Sequence, residues 1–169
     1  MPEAIQPELA GATESSSKLQ NVPAKIRVPT PLHNAARARR EASANAVVAN
    51  RALTPVAKTR VILQLENITA QGRAGSYDVY INIPDGETYT QHPELMAGGI
   101  DLFGVAEASR SSNQHPGSGL TYSLDITKIY NALDAEAKWD PNKVDVHLVP
   151  VRKWESAEVT IGRVSLFFG

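Results

Sequence analysis

Residues 58–169 predict a mainly β domain, an antiparallel β-sandwich or small barrel with one short helix. An extended and helical connector over residues 1–57 precedes it. Three features carry that prediction. Apolar and polar residues alternate at a period of two in several short runs, as half-buried strands require. Segments rich in Gly, Pro, Asn and Ser separate these runs at short intervals, which is the pattern of a sandwich or small barrel. Only one segment after residue 58 carries apolar residues at helical spacing.

In the connector, residues 1–20 are polar and rich in Pro and Ser, so little structure of their own is expected. AKIRVP, at 24–29, alternates apolar and basic side chains and reads as an edge strand closed by Pro29 and Pro31. The Ala- and Arg-rich run over 34–53 holds neither Gly nor Pro and reads as a surface helix or a partly ordered linker ending before Pro55. Its apolar stripe is thin.

The domain opens with RVILQLENI, where Val61, Leu63 and Leu65 point one way and Gln64 and Glu66 the other. In YDVYINI, Tyr77, Val79, Ile81 and Ile83 share a face, and Pro84-Asp85-Gly86 supplies the turn. A polar loop, ETYTQHPEL, leads to a strand expected across GGIDLFGVAEA. After the exposed run SRSSNQHPGSG, LTYSLDI restarts a strand. Asp125 is placed to cap a short helix whose Ile126, Ile129, Tyr130 and Leu133 have helical spacing. VDVHLVP alternates with Val144, Val146 and Leu148 inward. In EVTIGRVSLFF the alternation slips at Gly162, where a β-bulge would restore Val164, Leu166 and Phe168 to one face.

Composition removes several classes of function. A formal net charge of −1 speaks against nucleic acid or an anionic membrane as partner. The basic cluster Arg37, Arg39 and Arg40 lacks interleaved aromatics and reads as a solvated helix face. No apolar run approaches the roughly 20 residues that span a bilayer. The N-terminus has no secretory pattern and the chain no cysteine, so a reducing, cytoplasmic setting is expected, without disulfides or thiolate metal sites.

Catalytic chemistry finds no foothold either. His33, His92, His115 and His147 are widely separated, whereas a binuclear copper site needs several imidazoles converging on each metal. Neither G-x-S-x-G nor a phosphate-cradling glycine loop occurs. Asp78, Asp85, Glu155 and Glu158 read as turn and surface residues. The expectation is therefore no catalytic residue and no metal or other cofactor in this chain. Trp139, Trp154, Phe167 and Phe168 fit core or rim packing. Tyr89, Leu95 and Met96 lie in or beside a polar loop, where they either anchor it or project into another surface.

Taken in order, KTRVILQLENI, SYDVYIN, GGIDLFGVAEA, LTYSLDIT, VDVHLVP and VTIGRVSLFFG resemble the C-terminal domain of the tyrosinase and polyphenol oxidase family. Tyr77-Asp78-Val79 match that domain's lysine-phenylalanine-aspartate-valine strand, with Ser76 in place of the lysine. PELAGATESSSKLQNVPAKIRVP is similar to the connector that leaves the copper domain in the bacterial tyrosinase-like enzymes, so the likeness covers residues 7–169. It implies a copper oxidoreductase that hydroxylates phenols and oxidises catechols to quinones, toward melanin-like products. That chemistry belongs to a helical dicopper domain whose histidine sets are absent here. The implied role of this chain is a non-catalytic shielding, regulatory or copper-loading domain. Its implied partner is a dicopper tyrosinase domain, from the same precursor or a separate subunit. In several members of the family one bulky side chain of the cap plugs the copper pocket, and by loop position Tyr89, Leu95 and Met96 are the candidates. The second reading is a stand-alone β-sandwich module that binds carbohydrate or protein through Trp139 and Trp154.

Overall fold

The computed structural model describes residues 6–49, 59–152 and 158–169. Its strands are β1 (Glu8–Ala12), β2 (Ser17–Leu19), β3 (Ala24–Pro29), β4 (Val61–Gln71), β5 (Ser76–Ile81), β6 (Met96–Asp101), β7 (Leu120–Asp125), β8 (Lys143–Pro150) and β9 (Glu158–Phe168). The helices are α1 (His33–Ala49), α2 (Val105–Ala108) and α3 (Thr127–Ala135). Two antiparallel sheets face each other, one in the order β1-β9-β4-β7 with β2 also on β9, the other β3-β8-β5-β6. The expected mainly β, sandwich-like architecture is what forms, with two separate sheets and no closed barrel. No described helix is long and apolar enough to cross a membrane.

Burial follows the alternation. Val61, Leu63 and Leu65 of β4, Tyr77, Val79 and Ile81 of β5, and Val144, Val146 and Leu148 of β8 are all fully buried between the sheets. Each such side chain contributes about 1.5–3 kcal/mol relative to exposure. Ile126, Ile129 and Tyr130 turn α3 against one end of this core. Asp125 Oδ1 accepts from the Thr127 backbone N–H at 3.0 Å, closing the entry to that helix.

The structure differs from the sequence expectation in three respects. Residues 8–12 and 17–19 are strands, pairing Glu8 with Phe168 and Ser17 with Ile161 across β9. Backbone ladder bonds need no apolar pattern, and two buried side chains, Ala10 and Leu19, suffice to seat both segments on the core. VAEA, expected to continue a strand, is α2. Gly104 turns the chain there with φ +79°, a conformation that favours glycine and ends the extended run.

The third difference concerns Gly162. β4 and β9 both invert their facing at one level, where Asn67 (φ +53°) stands opposite Gly162, so their ladder keeps register from Val61↔Phe168 to Gln71↔Glu158. Register shifts lie instead between β4 and β7 at Leu65/Ile68, between β1 and β9 at Leu9/Gly11, and between β5 and β6 at Val79/Tyr80. Of the helix expected over 34–53, residues 50–53 lie outside the described residues.

Candidate functional site

The most distinctive surface feature is the turn that leaves β6. Leu102 and Val105 are each buried and pin the turn from both sides, while Gly104 between Phe103 and Val105 takes the left-handed conformation. Asp101 Oδ1 accepts from the Phe103 backbone N–H at 2.9 Å, and the Leu102 N–H donates to the Gly75 carbonyl at 3.2 Å. The Tyr122 hydroxyl donates to the Asp101 carbonyl, tying the turn to β7. These constraints throw Phe103 outward, where it is 90% exposed. Single exposed apolar side chains are common. This one sits on a turn fixed at both ends.

The polar loop before β6 is built differently. Leu95 is buried, 5% exposed, and Tyr89 is half-buried with its ring 5.6 Å from that of Tyr80. The loop thus packs onto the outer face of the second sheet, which Tyr80 on β5 presents. Met96 is 40% exposed at the start of β6. It pairs with Tyr80, whereas Asp101 at the other end pairs with Ser76. Roughly 17 Å of strand separates the two ends, so Met96 and Phe103 cannot enter one pocket.

His92 braces this loop. Its Nδ1 lies 2.8 Å from Glu94 Oε1, and its Nε2 meets the Glu87 carboxylate. Both ring nitrogens therefore face acceptors, the geometry of an imidazolium. Hydrogen bonds to Glu87 and then Glu94 raise the His92 pKa above the usual 6.5.

The four histidines remain apart. Among the described residues, no group of three His, Asp or Glu side chains is placed to hold a metal ion. A dicopper centre does not fit these residues. Trp139 is buried, and its Nε1–H donates to His33 Nε2 at 3.2 Å, so it offers no platform to a sugar. Trp154 lies outside the described residues. A cleft of about 310 Å³ lies beside β3 and is lined by Thr13, Glu14, Ser17, Lys25 and Arg27. Its two cations are already engaged by Asp145, Lys25 at 3.1 Å and Arg27 at 2.8 Å.

Sequence reasoning missed Phe103, because reading GGIDLFGVAEA as one strand made it an ordinary alternate position. The signal was present in Asp101-Leu102-Phe103-Gly104, an acidic side chain two residues before a backbone donor and a glycine next to it.

The chain is 36% identical over 108 residues to tyrosinase HcTyr1 of Hahella sp. (strain CCB-MM4), which covers 63% of this chain and 23% of that protein. Its fold is similar to latent apple tyrosinase (TM-score 0.51, 21% identity, 92% of this chain and 28% of that one). It is similar also to recombinantly expressed latent aurone synthase, a polyphenol oxidase (TM-score 0.51, 17% identity, 92% and 26%). At such identities these two structures show the fold alone. The chain spans about a quarter of the length of each of these relatives. The resemblance to the tyrosinase and polyphenol oxidase family thus holds in sequence and in fold. A family model matches residues 6–168, nearly the whole chain, and the chain belongs to that family, described as a domain of unknown function, DUF7868.

Proposed function

We propose that this chain is the non-catalytic β cap of a dicopper tyrosinase or catechol oxidase, and that it shields the phenol pocket of its partner with Phe103. The likeness to a tyrosinase supports the partner, and the dispersed histidines of the described residues support a reading in which the copper belongs to that partner. The observation that carries the shielding role is the outward Phe103 on its fixed turn. A benzyl side chain has the flat ring of a phenol but no hydroxyl to be oxidised, so it fills an aromatic pocket without turning over. Covalent or subunit attachment raises its effective concentration to about the millimolar range, and weak contacts then suffice to exclude substrate. Pre-fixing the turn removes ordering entropy that a flexible loop would lose on entry.

Of the earlier candidates, Leu95 is interior and Tyr89 is engaged with Tyr80, which leaves Met96 as the alternative plug. The test is diphenol oxidation by a tyrosinase dicopper domain titrated with the wild-type chain, F103A and M96A. Losing a buried aromatic contact of about 2 kcal/mol weakens inhibition by F103A ~30-fold, while M96A inhibits like wild type. Equal inhibition by wild type and F103A removes Phe103 from this role. No inhibition by any of them removes the cap itself.

A further inference from the structure

Among the described side chains of α1, few hold it to the β domain. Among its described side chains only His33 and Ala36 are buried, each 1% exposed. Arg37 pairs with Asp134 at 3.0 Å and Arg39 with Glu8, but both guanidinium groups are well exposed and such pairs contribute little. His33 is therefore the large side chain that fastens the start of this helix.

It does so inside an aromatic box. The Phe168 ring meets it edge-on at 4.9 Å, and Tyr130 and Trp139 lie at 6.1 and 6.2 Å between ring centroids. These three come from the end of β9, from α3 and from the segment after α3. His33 Nε2 accepts the Trp139 indole N–H at 3.2 Å, which places the ring proton on Nδ1, 3.4 Å from Asn34 Oδ1. A proton added at Nε2 would set two donors against each other with no acceptor between them. Aromatic faces can welcome a cation, but Trp139 presents its N–H, the positive edge.

We propose that His33 is an acid-sensitive clamp: neutral, it fastens α1 to the box of Tyr130, Trp139 and Phe168, and on taking up a proton it leaves the box and frees the helix. Charges around the site agree. Burial has the largest effect and lowers the His33 pKa below 6.5; the hydrogen bond to Asn34 opposes it, Arg37 adds to the lowering, and Asp134 opposes it least. Asp134 is already bound to Arg37, which also holds Glu41 at 3.0 Å. Above pH 6.5 the ring is neutral whether the clamp is open or shut, and the clamp holds fully. Below 6.5 only the open form takes up a proton, so opening grows about tenfold per pH unit until the depressed pKa of the closed ring is passed.

Two other histidines titrate elsewhere. His147, also lowered by burial first and Lys25 second, lies on β8 against β3, and His92 shifts upward.

The test needs no partner and stands whether or not the cap reading does. Amide exchange over residues 37–42 of the full chain, corrected for intrinsic rates, is followed from pH 7.5 to 5.0 by NMR. The Trp139 indole N–H resonance and the His33 ring are recorded in the same samples. Expected is a loss of α1 protection of about tenfold per unit below 6.5, with a concurrent indole shift while β4 and β9 stay protected. H33Q keeps a neutral acceptor for the indole and abolishes this pH dependence. Protection that is flat down to pH 5, or an identical acid loss in H33Q, overturns the clamp. Should H33Q fail to fold, the wild-type ring still decides: a His33 pKa at or above 6.5 contradicts the proposal.

Discussion

The side chain of Phe103 leaves the protein between two buried neighbours that do the holding. Leu102→Ala, which empties a buried site, should cost about 2–5 kcal/mol in chemical denaturation. Phe103→Ala should stay within about 0.5 kcal/mol of wild type, since its ring touches solvent. That contrast separates a displayed residue from a structural one before any partner is added. At His92 the sign of the pH effect is opposite to that at His33. Its folded pKa is raised, so its contribution is full below 6.5 and is lost as pH rises through the elevated value. Glu87→Gln should bring the NMR-measured His92 pKa back toward 6.5, and an unchanged value would show that the brace does not form. Residue roles were only partly legible in sequence. Tyr89 and Leu95 were visible as apolar residues in a polar loop. That Tyr80 lies beside Tyr89 is a non-local fact no local pattern encodes.

Among the elements, β4 and β9 show why alternation is readable but its repair is not. The slip at Gly162 is written in the strand itself, whereas the matching inversion at Asn67 lies almost a hundred residues away in sequence (about 95). A Cβ at 162 would stand 2.8 Å from Asn67 Cβ and 3.2 Å from its carbonyl oxygen. Gly162→Ala should therefore destabilise the domain by about 1–3 kcal/mol, through crowding at the one level where both strands turn over. Thermal unfolding checks it, and an unchanged midpoint would mean the two strands can separate there at no cost. β1 and β2 were illegible for another reason. Strands recruited to the side of a long partner are specified by that partner's open hydrogen-bonding groups, and their own short sequences, ELAGA and SKL, need no clear alternation.

At the scale of the molecule, the connector and the sandwich are joined by both sheets. β1 and β2 extend the first sheet, and β3 forms the edge of the second. Gly11 marks how closely these edges approach, since a Cβ there would lie 2.0 Å from the Pro29 carbonyl oxygen. The sandwich class was legible because two opposed apolar faces impose period-two patterns on β4, β5 and β8. The site was less so, because an aromatic displayed on a fixed turn and one at an ordinary strand position carry the same local pattern, and only the contacts of Leu102 and Val105 tell them apart.

The most direct test is a calorimetric titration of this chain into a tyrosinase dicopper domain from its own source, with and without a saturating non-oxidisable ring ligand such as benzoate. The account predicts binding that the ligand weakens for the wild-type chain and leaves unaffected for F103A. Binding that ignores the ligand in both, or no binding at all, would contradict it.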